Sequence, residues 1–181
     1  MPSSSAPEPM GARRLSDGER RVLRDACDGI DPDRITLRRE SGDTWRDLVL
    51  FVSGGRAVAL GHSIFLPDDR AGDLALIAHE LTHCRQYQDW GAVRYYARGA
   101  LEQLRFVLSR MGVVRDPYDW RSVPPMAFSE YRMEQQGQLV EDAYRGDPSA
   151  LAIVAAKAST SSSVVSHDAI QRTSDRGSLH T

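Results

Sequence analysis

The stretch Ala78 to Gln88, AHELTHCRQYQ, decides how this chain is read. His79-Glu80-Leu81-Thr82-His83 is an HExxH motif, and it lies inside a segment whose apolar residues Leu74, Ile77, Leu81 and Cys84 recur at helical spacing. Two histidines four residues apart project from one side of a helix, one turn apart, so both imidazoles can reach one Zn²⁺ at about 2.0 to 2.1 Å. At about 100° per residue from Leu74, they fall opposite the apolar stripe, on a face of their own. Glu80 lies too far round the helix to share the cation, yet is placed to accept a proton from a water held there.

Two imidazoles leave such a site one protein ligand short. Of the other histidines, His62 adjoins a strand turn, and His167 and His180 fall in a Ser/Thr-rich tail. Position 89 is Asp89, so the motif is not extended to HExxHxxGxxH, and an acidic third ligand is favoured. The segment FSEYRMEQQGQLVEDAYR from Phe128 reads as a helix capped by Ser129 and reaching Tyr144, with Glu130, Glu134 and Glu141 on one side. Glu134 is the chosen ligand because Gly137, nearly one turn later, lets this backbone approach the His79 helix closely; Glu130 is the rival. Thr82, Gln86 and Gln135, with Gln136, are candidates for hydrogen bonds to the ligands. Tyr95, Tyr96, Tyr131 and His62 are open candidates to stabilise an oxyanion.

Far upstream of the motif, Ser16-Asp-Gly-Glu19 has capping-box spacing and opens a helix to about Gly29. Arg34 to Arg39, Arg46 to Val52, Ala57 to Leu60 and Ser63 to Leu66 have strand character, with a turn at Ser41-Gly-Asp. A second long helix, Ala92 to Met111, carries Val93, Tyr96, Ala100, Leu104, Val107, Leu108 and Met111 on one face and stops at Gly112; that face predicts a packing helix. Pro148 to Lys157 adds a fourth.

Composition sets bounds on all this. The 181 residues include 41% hydrophobic and 27% charged, suited to one globular domain. Residues 1–14 and the tail 159–181 are set aside as disordered or flexible, leaving a domain at 15–158. Lys plus Arg at 23 against Asp plus Glu at 25 gives a net charge of -2, which disfavours nucleic acid as a partner. No apolar run approaches the roughly 18 residues of a membrane span, and the N-terminus lacks a signal peptide, so a soluble protein of the producing cell's cytoplasm is expected. Cys27 and Cys84 read as reduced and buried, and Trp45, Trp90 and Trp120 as packing anchors.

AHELTHCRQYQ followed some fifty residues later by EYRMEQQGQLVEDAYR resembles a family of small zinc-metallopeptidase-like proteins found with Rhs and VgrG components of bacterial type VI secretion systems. More distantly it resembles the HELTH-bearing peptidase-like domain of contractile injection system cargo. The matching residues are His79, Glu80, Thr82, His83, Gln86 and Glu134-Gln135-Gln136-Gly137, within roughly 57–146, with Gly137 where the family commonly has Ala. The resemblance implies an α+β fold, with a small N-terminal sheet packed on a helical zincin-like subdomain of gluzincin type. It further implies delivery by a contractile secretion system and a spike or Rhs/VgrG-type partner. The resulting expectation is a zinc peptidase in which His79, His83 and Glu134 hold Zn²⁺ and Glu80 activates its water against a peptide bond. The alternatives are a secretion-associated adaptor in which zinc only staples two helices, and a degenerate domain without metal.

Overall fold

The computed structural model describes residues 12–38 and 44–157. The fold is α+β, with a small sheet and mostly helices. The strands are β1 (Ala12–Arg13), β2 (Thr36–Arg38), β3 (Val58–Leu60) and β4 (Ser63–Phe65), ordered β1-β2-β4-β3. β2 and β4 are parallel, while β1–β2 and β3–β4 are antiparallel, so the sheet is mixed and β3 forms one edge. β1 falls in a stretch that composition alone places outside the domain; it pairs with β2 and leads to the buried Leu15. The tail 159–181, with His167 and His180, and the turn at Ser41 lie outside the described residues.

The helices are α1 (Asp17–Val22), α2 (Thr44–Val52), α3 (Leu74–Trp90), α4 (Ala92–Arg110), α5 (Met133–Tyr144) and α6 (148–157). α1 begins as the sequence predicts, with Ser16 Oγ accepting from the Glu19 amide and Glu19 answering at the Ser16 amide, but it is regular only to Val22 and continues as turns. Two segments differ more deeply. Arg46 to Val52, expected as a strand, is the body of α2, in which Leu50 is buried, Phe51 is 83% exposed and Arg46 is sealed against the Leu66 carbonyl and Asp68. A short unbroken apolar run fits either period, and tertiary context chose the helix. The helix expected from Ser129 begins instead at Met133, because Phe128–Glu130 forms a separate 3₁₀ turn and Tyr131 is extended.

α3 runs through the centre. Its residues from Ala75 to Cys84, and Gln86, are all buried, with Ile77, Leu81 and Cys84 inaccessible on the stripe that meets Leu37, Ile64 and Leu66. Each leucine or isoleucine there contributes about 1.5 to 3 kcal/mol by leaving water. α5 is the principal partner of α3 and covers its other face. Asp73 caps α3 by accepting from the Leu76 amide at 3.1 Å. α4 departs from expectation: it buries Tyr95 and Glu102, while Val93, Tyr96, Leu104, Val107 and Met111 face outward. Both cysteines are free thiols, Cys84 buried and Cys27 half-buried. Trp120 donates its indole N–H to Asp142 at 2.8 Å, whereas Trp45 is half exposed. Among the described residues no helix is long and apolar enough to cross a membrane.

Candidate metal centre

α3 and α5 pack so that three ligand-type atoms converge. His79 Nε2 lies 3.1 Å from His83 Nε2, and Glu134 Oε2 lies 3.8 Å from the first and 3.5 Å from the second. Two atoms bound tetrahedrally at 2.0 to 2.1 Å stand roughly 3.3 Å apart, so the spacing suits one small cation. Among the described residues these three form the group of His, Cys, Asp and Glu side chains whose ligand atoms lie within 4.8 Å of one another. Glu130 is not among them: its carboxylate turns back to accept from the Ala127 amide at 2.9 Å, closing the 3₁₀ turn. Neither is His62, whose ring meets Tyr87 edge-on at 5.5 Å.

Each imidazole is fixed through its other nitrogen. His79 Nδ1 is 3.1 Å from Glu141 Oε2, whose second oxygen accepts from Arg145 at 2.9 Å and Arg70 at 3.3 Å. His83 Nδ1 is 2.8 Å from Gln86 Oε1. Gln86 donates in turn to Gln136 Oε1 at 3.0 Å and to the Met133 carbonyl at 3.2 Å, and Gln136 donates to the Tyr131 carbonyl. Such partners leave Nε2 of each ring as the lone-pair donor toward a metal. Two other candidates act elsewhere. Thr82 donates to the Ala78 carbonyl within α3, and Gln135 caps α5 through the Arg132 amide while donating to the Asp119 carbonyl.

The electrostatics favour a cation. Burial would keep the imidazoles neutral, but Glu134, Glu141 and Glu80 overcome it at His79, pushing it up to about 10, and Glu134 with Glu80 pushes His83 upward. Burial raises Glu141 too, yet His79 and Arg145 hold it down at about 2. Glu134 is also lowered, since His83 and His79 outweigh its burial. Glu80 is raised by burial, and its Oε2 is enclosed with no hydrogen-bond partner. A divalent ion held by the two imidazoles and the Glu134 carboxylate fits this donor set.

The site opens into a cavity of about 210 Å³ shared by His79, Glu80, His83, Glu134, Tyr118 and the edge strand β3. Tyr118, from the loop between α4 and α5, is a residue the sequence did not single out. Its ring lies 6.2 Å from that of His79, and Arg56, stacked over Phe106, donates to its hydroxyl at 3.1 Å. Burial and the nearby Glu134 charge push its phenol upward, so it stays protonated. Of the four candidates read from the sequence, Tyr95 is spent on the Ala59 carbonyl at 2.8 Å, Tyr131 is buried, His62 faces Tyr87, and Tyr96 lines the cavity rim. A larger cavity, about 600 Å³, lies on another side of α3 and holds none of the three ligand atoms.

Residues 52–91, from the end of α2 through β3, β4 and α3, match the eCIS core domain. The chain is also 28% identical over 141 residues, 75% of its length, to the type VI secretion system spike protein VgrG2b of Pseudomonas aeruginosa. The matched segment covers 13% of that protein. No solved structure matches the chain. The two similarities link the chain to contractile injection and type VI secretion systems.

Proposed function

We propose that the chain is a Zn²⁺-dependent peptidase-like domain deployed with contractile injection or type VI secretion machinery, on a zincin-like arrangement of α3, α5 and the sheet edge. The observation that carries this reading is the convergence of His79 Nε2, His83 Nε2 and Glu134 Oε2 beside the unpaired buried oxygen of Glu80, at the floor of an open cavity. His79, His83 and Glu134 are the residues that would hold the ion. Zinc bound there supplies Lewis acidity, which polarises a carbonyl and lowers the pKa of water toward about 7. Glu80 takes the proton of the attacking water and returns it to the leaving amine. Tyr118, kept protonated, donates to the carbonyl oxygen as charge develops on it.

A second reading has its own support, because the matched proteins are named for secretion and injection components and for no hydrolytic activity. In it the chain is an adaptor, and the ion pins α3 to α5 without turnover. One set of variants separates the two. Glu80→Gln is expected to retain one zinc per chain and to abolish cleavage of a quenched-fluorescent peptide library, Glu134→Ala to lose zinc, and Glu130→Ala to keep it. Zinc-loaded wild type that cleaves nothing in the library, yet loses thermal stability on chelation, supports the adaptor reading.

A further inference from the structure

α4 lies on the domain with its amphipathicity inverted. Val93, Tyr96, Ala100, Leu104, Val107 and Met111 follow one another at steps of three or four residues, form an uncharged stripe about 27 Å long, and all face solvent, Val93 at 87% and Met111 at 69% exposure. The side turned to the domain carries Tyr95, which bonds to Ala59, and Glu102, which is paired with Arg105 at 2.6 Å. An isolated surface helix ordinarily does the reverse, and a contiguous apolar stripe of this size marks a surface that another molecule covers.

The charges bordering the stripe say what that molecule is. Of the arginines of α4, Arg98 stacks on Trp90 and Arg105 pairs with Glu102, both turned well away from the stripe, whereas Arg94 and Arg110 stand beside its two ends and no acidic residue of α4 lies on that side, so the border of the stripe is positive in a chain whose net charge is -2. A second copy is a poor partner: an antiparallel pair that sets Val93 against Met111 sets Arg94 against Arg110, and a parallel pair sets each arginine against itself. The same side of α4 reaches the metal cavity, which Tyr96, Ala100 and Gln103 line together with His79, Glu80 and Glu134. A flat bilayer can touch the stripe, but only a chain can both cover the stripe and enter the cavity.

We infer that the outer face of α4 is the docking surface for an amphipathic protein segment whose apolar stripe is flanked by carboxylates, and that this segment belongs to the protein whose chain enters the metal cavity. The assignment of the cavity as a peptide site rests on the function proposed above; the docking itself requires no turnover.

Fluorescence anisotropy tests it on the full chain carrying Glu80→Gln, with established zinc content and two labelled 18-residue peptides. Both peptides have leucines at the stripe spacing; one is flanked by glutamates, the other by lysines. The glutamate peptide is expected to bind saturably at 1:1 and at least about tenfold more tightly than the lysine peptide. Leu104→Glu combined with Met111→Glu is expected to remove that binding while leaving zinc content and melting temperature unchanged, because both side chains are exposed. A glycine-linked hydroxamate on the glutamate peptide is expected to tighten binding about tenfold or more by reaching the ion. Equal binding of the two peptides, no binding of either, or survival of binding in the double variant overturns the docking surface. Dimerisation through Leu104 and Met111 in sedimentation, or binding only to phosphatidylserine vesicles, overturns it in favour of those occupants. A hydroxamate without effect overturns the link to the cavity and leaves the docking surface standing. Binding without any cleavage by the wild type counts against the peptidase reading alone.

Discussion

The ring of His79 lies against the backbone of Gly137, so close that a β-carbon added there would come within 2.7 Å of Nε2. Glu141 at Nδ1 and His83 beside Nε2 both restrain the ring, so it cannot simply swing aside. Gly137→Ala adds helix propensity worth up to about 1 kcal/mol to α5, and it also crowds the ligand. The position left vacant by the missing side chain seats an imidazole. The variant is expected to bind zinc at least about tenfold more weakly in a chelator competition. Unchanged affinity together with a higher melting temperature would mean that the ring is not confined.

Glu141 was visible in the sequence only as a third carboxylate on the face of Glu134; its role comes from Arg70 and Arg145, which hold one oxygen while the other meets His79 Nδ1. Glu141→Gln keeps the shape but presents a neutral amide to the imidazole. Zinc affinity is expected to fall roughly 10- to 100-fold, the usual consequence of losing a carboxylate partner of a ligating histidine. A competition titration reads it directly, and an affinity within twofold of wild type would remove Glu141 from the metal centre.

Tyr118 and Tyr95 make a matched pair of tests. Tyr118→Phe removes the hydroxyl that meets Glu134 and accepts from Arg56 at the cavity; kcat is expected to fall about 10²- to 10³-fold with zinc content unchanged. Tyr95→Phe removes a buried bond to the Ala59 carbonyl, so it is expected to lower stability by about 1 kcal/mol and leave kcat alone. If the two variants exchange these phenotypes in steady-state kinetics and urea unfolding, the assignment of Tyr118 is wrong.

Why some of this could be read from the chain and some could not has physical reasons. α3 was legible because its apolar stripe and its histidine pair each obey helical spacing, and Glu134 and Gly137 were legible because a second helix had to approach it. Arg46 to Val52 was not, since Leu48, Val49, Leu50 and Phe51 form an unbroken apolar run without a period, and the helix they adopt leaves Phe51 and half of Leu48 in water. On α4 the stripe was legible but its direction was not: periodicity identifies an apolar face and is silent on what covers it. Tyr118 sits in an irregular loop, where no spacing rule relates it to His79 or Arg56.

Asp73 ties the start of α3 to α5 and gives the acid response of this junction a defined sign. Its carboxylate accepts from the Leu76 amide, from Arg70 at 2.9 Å and from Arg145 at 2.8 Å. Burial alone would raise its pKa, but Arg145, Arg70 and the amide together hold it at about 2, below the ordinary 3.8. A carboxylate lowered on folding stabilises the folded state above its unfolded pKa, and that contribution fades as pH falls from about 4 toward 2. Asp73→Asn retains a helix cap of similar quality and loses the charge. Wild type is therefore expected to melt above the variant at pH 6, with the gap clearly narrower at pH 3, when both are followed by circular dichroism. A gap that stays constant across that range would show that the arginines contribute nothing through charge, and that Asp73 serves α3 as a hydrogen-bonding cap alone.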